Sequence, residues 1–151
     1  MTRVLFVCTG NICRSPTAEA VARAMAAGLG VAADFDFDSA GLEGYHVGEA
    51  PDRRAIARGR LRGYDLGSLR ARRVTRQDFD QFDLVLAMDD GHFRALTRLC
   101  AAEHRHKVRM FHELSVPDPY YGTDPDFDVV LDMCEEAVPR WLRSDRSDPD
   151  S

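Results

Sequence analysis

The stretch VLFVCTGNICRSPTAEA, residues 4–20, joins an apolar run to a helical pattern through a turn that carries two cysteines and an arginine. The run VLFV is continuous rather than alternating, which is typical of a parallel strand buried on both faces. Residues 11–16 have the character of a turn, and Ser15 before Pro16 predicts a helix N-cap with proline at the first helical position. The stretch therefore predicts a strand, a short loop and a helix, the opening unit of an α/β fold.

The rest of the chain repeats this alternation of strands and helices. Further strands are predicted at residues 35–40, 84–88 and 108–111, and helices at 15–29, 52–62, 90–100 and 127–142, with a short turn at 75–81. This order predicts a three-layer α/β fold, a four-stranded parallel sheet with helices on both faces. Ligands of such sheets bind outside the carboxyl ends of the strands, where the loop after the first strand should lie.

Residues 1–143 are predicted to form a single domain. With 151 residues and 44% hydrophobic content, the chain is long enough to bury one core. The segment SDRSDPDS at residues 144–151 contains no apolar anchor, so a disordered tail is predicted there.

Composition excludes several classes of protein. A net charge of −5 argues against a nucleic-acid binder, which usually carries a basic excess. No apolar stretch approaches the roughly 18 residues of a membrane span, and the apolar start is too short for a signal peptide. We therefore expect a cytoplasmic protein without a membrane span. Its four cysteines are then expected to be reduced, and so catalytic or buried.

Cys8 and Arg14 have the spacing C-x5-R. If the residues after the strand curl into one turn, their backbone N–H groups point inward and the next helix adds its positive end, which forms a cradle for a tetrahedral oxyanion. Gly10 and Asn11 are residue types that tolerate the positive φ such a turn can require. The planar guanidinium of Arg14 can bind two phosphate oxygens at once. The predicted phosphate-binding residues are Thr9, Gly10, Asn11, Ile12, Cys13, Arg14 and Ser15.

The partial charges of this loop also act on the sulfur at its base. A thiol among N–H donors at a helix N-terminus, with the Ser15 hydroxyl able to donate to it, favours the thiolate at neutral pH. A thiolate at Cys8 beneath a bound phosphoryl group is placed for in-line attack, which would give a phosphocysteine intermediate. Cys8 is therefore the predicted nucleophile.

An alkoxide or phenoxide leaving group needs a proton, and this calls for a carboxylic acid on another segment. Asp118 is the best candidate because it lies between two prolines in VPDPYYG, residues 116–122, after the fourth predicted strand. It could protonate the leaving oxygen and then activate the water that hydrolyses the phosphocysteine. Tyr45, Tyr120 and Tyr121 supply aromatic walls, which suit a flat aryl ester.

Together, VCTGNICRSPTAEA and DPYYG resemble the low-molecular-weight protein tyrosine phosphatases, and nearly the whole chain follows that family's order of elements. The resemblance implies Cys8 as nucleophile, Arg14 as phosphate clamp and Asp118 as general acid. It also implies support of the loop by Asn11, Ser15 and Ser39, and a pocket wall at Tyr45. The family often has a histidine in the loop after the second helix, whereas this chain has Leu69 there.

The remaining cysteines have separate predicted roles. Cys13 is close enough to Cys8 across the turn to form a disulfide, which we predict closes under peroxide and protects the nucleophile from irreversible oxidation. Cys100 and Cys134 have apolar neighbours at helical spacing and are predicted to be core residues. No metal site is predicted, because Cys8 and Cys13 lack the C-x2-C spacing and the five histidines are scattered along the chain.

Two other functions share parts of this pattern. Thioredoxin-coupled arsenate reductases have a similar loop, but they relay the thiol through two further cysteines near the middle of the chain, and residues 68–99 contain none. A non-catalytic phosphotyrosine-binding module would need neither the thiol nor the opposing acid. The sequence therefore favours a protein-tyrosine phosphatase that acts on phosphotyrosine-containing proteins or small aryl phosphates, with no cofactor.

The arginine-rich stretch at residues 53–76 is interpreted most simply as a solvated face of a helix and a loop. An alternative is that Arg53 or Arg54 attracts acidic phosphopeptides by long-range electrostatics. The sequence leaves both interpretations open.

Overall fold

Strands and helices alternate along the chain in the computed structural model, which describes residues 1–143. The strands are β1 (Thr2–Cys8), β2 (Phe35–Gly41), β3 (Leu84–Ala87) and β4 (Val108–Met110), and the helices are α1 (Arg14–Gly28), α2 (Arg53–Leu61), α3 (Arg76–Gln81), α4 (Asp90–Leu99) and α5 (Asp124–Leu142). Short 3-10 turns at Ala32–Asp34 and Ala102–Lys107 precede β2 and β4. Every predicted strand and helix is present.

All four strands are parallel, in the order β2-β1-β3-β4. The central strand β1 pairs Cys8 with Gly41 of β2, and Val7 with Ala87 of β3. The chain passes from β1 to one side for β2 and to the other side for β3 and β4, so the strand order reverses at β1. The carboxyl end of β1 therefore lies at the crevice where sheets of this kind bind ligands.

The sheet is covered on both faces because alternate residues of β1 belong to two cores. Val4 and Phe6 pack with residues of α1 and α5, whereas Leu5 and Val7 pack with residues of α3 and α4. A continuous apolar strand is what this double burial requires. The predicted three-layer α/β fold is confirmed.

Two helices begin earlier than the sequence pattern predicts. The N-cap of α1 is Cys13, so Ser15 lies inside the first turn and is not the cap. Its hydroxyl is hydrogen-bonded at the base of the loop instead, 3.0 Å from the Cys8 sulfur. Helix α5 begins at Asp124 because Thr123 and Asp126 form a capping box ahead of the predicted start at residue 127.

The disordered tail predicted at residues 144–151 lies outside the described residues, and the division into one domain and this tail stays a prediction. Within residues 1–143, no helix is both long enough and apolar enough to cross a membrane.

Candidate active site

The loop of residues 9–13 turns over the end of β1 with carbonyls on its outer side. The carbonyls of Cys8, Thr9 and Ile12 accept hydrogen bonds from backbone N–H groups of the surrounding chain, those of Leu42, Glu43 and Asp52. Across a trans peptide, the N–H of the following residue points opposite to the carbonyl. The N–H groups that follow these carbonyls therefore face the concave side of the loop, which is the geometry of an anion cradle.

The tight turn of this loop depends on one left-handed residue and two close approaches. Asn11 has a φ of 59°, and Gly10 is not left-handed. Gly10 is needed for space, since a Cβ there would lie 3.0 Å from the His46 ring. A Cβ on Gly41 would lie 2.8 Å from the Thr9 carbonyl oxygen, so the neighbouring strand must carry glycine at this point.

A chain of hydrogen bonds runs from Cys8 to a buried glutamate. Ser39 Oγ donates to Glu19 Oε1 at 2.7 Å. The Asn11 amide nitrogen donates to Ser39 Oγ at 3.0 Å and to Ser15 Oγ at 2.8 Å. Because the Ser15 oxygen accepts from Asn11, its own hydrogen can be donated to Cys8 Sγ, 3.0 Å away. This hydrogen bond joins the sulfur to the same network that holds the loop.

Glu19 is a site residue that the sequence analysis missed. It is 2% exposed and forms an ion pair with Arg23 at 2.8 Å. Burial raises the pKa of Glu19, and the hydrogen bonds from Ser39 and Arg23 offset part of that effect. Its signal in the sequence was a charged residue between two alanines. It lies four positions after Ser15 and therefore on the same face of α1. Leu69 lines a surface groove beside Arg23 and brings no polar side chain to the network.

Arg14 is 3% exposed, and one part of its guanidinium is already bound. Nη1 donates to Asp89 Oδ2 at 2.8 Å and to the Val116 carbonyl at 2.9 Å. Nη2 has longer contacts, at 3.3 Å to Thr9 Oγ1 and 3.8 Å to Asp118 Oδ2, and Nε has no hydrogen-bond partner within residues 1–143. Because an unpaired buried N–H is costly, the Nε–Nη2 edge is suited to donate hydrogen bonds to two oxygens of a tetrahedral anion.

His92 belongs to this cluster, although in the sequence it is only one of five scattered histidines. It is 5% exposed, and its Nε2 lies 2.9 Å from Thr9 Oγ1. Because that oxygen accepts from Arg14, the Thr9 hydrogen goes to Nε2 and the ring proton is assigned to Nδ1. Nδ1 lies 3.2 Å from Asp89 Oδ1, at an angle that makes the contact electrostatic rather than a hydrogen bond.

The protonation of His92 should make stability depend on pH. Burial, assisted by the charge of Arg14, lowers the pKa of His92 from 6.5 to about 4, although Asp89 and Asp118 act in the opposite direction. Between these two values the unfolded chain binds the proton more readily, so stability falls as the pH falls through this window. The corresponding loss is about 3 kcal/mol. In urea unfolding at pH 7 and pH 4, His92→Gln should therefore lose about 3 kcal/mol less than the wild type.

The exposed His106 provides a matched control for this measurement. His106→Gln should follow the wild-type dependence on pH. Equal losses of stability in the wild type and His92→Gln would contradict the neutral, buried state of His92.

The pocket above the loop brings the predicted groups together. It has a volume of about 230 Å³, and its lining is formed by Cys8, Thr9, Gly10, Ile12, Cys13, Arg14, Tyr45, His46, Asp118, Tyr120 and Tyr121. The Asp118 side chain is 45% exposed, and its Oδ1 accepts from the Tyr120 N–H at 3.1 Å. Tyr45 and Tyr121 are 75% and 92% exposed, so they form the rim of the pocket rather than its walls.

All four cysteines are free and buried. Burial raises the pKa of the Cys13 thiol, and the charge of Asp52 adds to this effect, so Cys13 is held as a neutral thiol. Its role in a protective disulfide with Cys8 stays a prediction. Cys134 lies in the core against α1, and Cys100 lies in the core against α4.

The central strand of this parallel sheet ends in a C-x5-R loop, and a carboxyl group lies at the same pocket. This combination of fold and site indicates a cysteine-based phosphatase. The family model for low molecular weight phosphotyrosine protein phosphatase matches residues 3–148. A low molecular weight protein-tyrosine-phosphatase of Streptomyces coelicolor is 46% identical over 145 residues, which cover 89% of this chain and 88% of that protein.

Solved structures give the same assignment. A protein tyrosine phosphatase of Entamoeba histolytica, with Hepes in its active site, matches with a TM-score of 0.93 at 34% identity over 100% of both chains. Vibrio vulnificus Wzb in complex with benzylphosphonate matches with a TM-score of 0.83 at 31% identity, over 93% of this chain and 96% of that one.

The chain belongs to the low molecular weight phosphotyrosine protein phosphatase family. It is therefore a protein-tyrosine phosphatase, a hydrolase of phosphoric monoesters, and this membership selects one of the three functions that the sequence left open.

Proposed function

We propose that Cys8 attacks the phosphorus of an aryl phosphate monoester while Arg14 binds two of its oxygens and Asp118 protonates the leaving oxygen. The observation that carries this proposal is that all three side chains line one pocket, with Asp118 Oδ2 3.8 Å from Arg14 Nη2. In the first step an S–P bond forms as the P–O bond to the leaving group breaks. The proton of Asp118 moves to the leaving oxygen, and the product is a phosphocysteine.

Water then hydrolyses the phosphocysteine. The oxygen of the water bonds to phosphorus while Asp118, now a carboxylate, takes a proton from that water. The S–P bond breaks, and the Cys8 thiolate and inorganic phosphate are released. Ser15 stabilises the departing sulfur through its 3.0 Å contact, and the N–H groups of residues 9–15 bind the phosphate oxygens. Asn11 and Ser39 hold the loop in this shape through their shared hydrogen bond. No metal or organic cofactor takes part in this scheme.

The proposed substrates are phosphotyrosine-containing proteins and small aryl phosphates. Tyr45, Tyr120 and Tyr121 offer aromatic surface around the pocket mouth, where they can contact the ring of the substrate and its flanking chain. Benzylphosphonate in the complex of V. vulnificus Wzb joins a benzyl ring to a phosphonate, and this supports an aromatic substrate here. A cytoplasmic location is inferred from the need for a reduced nucleophile.

Asp118→Asn should lower kcat/KM for phosphotyrosine by about 10²-fold, because this constant covers only the steps up to the phosphocysteine and an amide of the same size cannot transfer the proton to the leaving oxygen. The loss should be smaller for p-nitrophenyl phosphate, whose leaving group is a weaker base and needs less protonation. Steady-state assays of both substrates at pH 5 to 7 in a chelating buffer measure this.

The control for this change is Glu43→Gln, an exposed acid whose backbone N–H, rather than its side chain, bonds to the Thr9 carbonyl. It should retain wild-type kinetics. A loss of equal size for the two substrates in Asp118→Asn would argue against proton transfer by this group.

A further inference from the structure

Arg54 reaches from α2 to the segment that carries the proposed general acid. Its Nη1 donates to the Gly122 carbonyl at 2.8 Å, and its Nη2 donates to the Tyr120 carbonyl at 2.8 Å. Both carbonyls belong to residues 117–122, which we call the acid loop. One guanidinium therefore holds the acid loop at two points. Both contacts are to main-chain carbonyls, which are present whatever the side chains of the loop.

The guanidinium of Arg54 is itself fixed on three sides. Asp52 Oδ1 accepts from Arg54 Nε at 3.1 Å, and Asp52 Oδ2 accepts from Nη2 at 3.0 Å. The Cζ atom of the guanidinium lies over the buried Phe127 ring, 4.4 Å from the ring centre. Asp52 also donates its backbone N–H to the Ile12 carbonyl at 2.8 Å, so this arrangement rests on the phosphate-binding loop.

The acid loop is consequently anchored at both of its ends. At the first end, the Val116 N–H bonds to the Met88 carbonyl, and the Val116 carbonyl accepts from Arg14. At the other end, Arg54 binds the carbonyls of residues 120 and 122. Asp118 lies between the two anchors with its side chain 45% exposed, so its position over the pocket depends on both.

We propose that Arg54 is a positioning residue that holds the acid loop against the phosphate-binding loop, so that the Asp118 carboxyl reaches the leaving oxygen. This inference rests on the proposed role of Asp118. It also differs from the recruitment of acidic phosphopeptides considered for Arg54, because the guanidinium is bound within the protein. Loss of the anchor should weaken proton transfer while leaving Cys8 and Arg14 in place.

Leaving-group dependence is the readout that separates positioning of the acid from general damage to the fold. In Arg54→Gln, kcat/KM for phenyl phosphate should fall about tenfold, because a displaced carboxyl protonates a strongly basic phenolate poorly. For p-nitrophenyl phosphate, the fall should be less than about threefold. Arg54→Lys should be intermediate, since one ammonium cannot reproduce the fork that binds both carbonyls. A series of aryl phosphates between these two gives the slope of log kcat/KM against leaving-group basicity.

Arg58→Gln is the matched control. Arg58 lies one turn further along α2 and is paired at 2.8 Å with Asp128 of α5 instead of the acid loop. This variant loses an ion pair of the same kind but should keep the wild-type slope. Thermal unfolding of each variant identifies any loss of stability, which matters because Arg54→Gln also removes the partner of Asp52.

Asp118→Asn serves as the reference for loss of the acid. Steeper slopes in Asp118→Asn and Arg54→Gln, with no further steepening in the double variant, would support the inference. A wild-type slope in Arg54→Gln beside a steep one in Asp118→Asn would overturn the positioning role and leave the proposed function intact. Wild-type slopes in both variants would remove the acid role of Asp118 and, with it, the role of Arg54. An equal loss of kcat/KM for every aryl phosphate in Arg54→Gln would also overturn the inference.

Discussion

Cys8→Ser should lower kcat by about 10⁴-fold or more, because the sulfur is both the nucleophile of the first step and the leaving group of the second. A serine hydroxyl is not ionised at neutral pH, so the N–H donors of the loop have no thiolate to stabilise. The loop, Arg14 and the rim of the pocket are unchanged by the substitution. The variant should therefore still bind a phosphotyrosine peptide, and titration calorimetry together with a single-turnover assay measures the two properties separately.

Cys100→Ser is the control for this substitution. Cys100 is 5% exposed, follows α4 in the core, and does not line the pocket. This variant should keep kcat within about twofold of the wild type, since it lies away from the pocket. Substantial activity in Cys8→Ser, with activity lost in Cys13→Ser, would assign the nucleophile to the other cysteine of the loop.

The nucleophile and the phosphate clamp could be predicted because their chemistry is local in the chain. Cys8 and Arg14 are separated by a single turn, so the C-x5-R spacing alone places both around one anion. The strand before them could be predicted because VLFV is apolar at every position, and both faces of β1 are buried as such a run requires. The parallel sheet followed from the alternation of strands with helices, since parallel strands need crossover connections.

Two of the groups around these residues, His92 and Arg54, were not placed at the site from the sequence because their contacts are long-range. His92 meets Arg14 across 78 residues of sequence, and Arg54 meets the Gly122 carbonyl across 68. An arginine bound to main-chain carbonyls has no complementary side chain that a sequence pattern could reveal. His92 lies four positions before the buried Leu96 and so shares the buried face of α4, but helical spacing alone cannot show that its ring meets Thr9 and Arg14.

Arg14→Lys should lower kcat/KM by about 10³-fold, although the positive charge is retained. In the structure, the guanidinium has two separate tasks. Nη1 is held by Asp89 and the Val116 carbonyl, while Nε has no partner among the described residues and Nη2 has only longer contacts, which leaves these two nitrogens for the proposed phosphate. A lysine has one nitrogen, so it can pair with Asp89 or with the phosphate but cannot bridge the two.

The two kinetic constants should respond differently to this change. Charge still attracts the substrate dianion, so KM should rise modestly, whereas kcat should carry most of the loss because the fork matches the oxygens of the transition state better than those of the substrate. Arg140→Lys, which alters a half-buried arginine of α5 paired with Glu113 at 2.9 Å, should behave as the wild type. If Arg14→Lys kept kcat and only KM rose, charge alone would account for the role of this residue. The unpaired Nε would then have no role in catalysis.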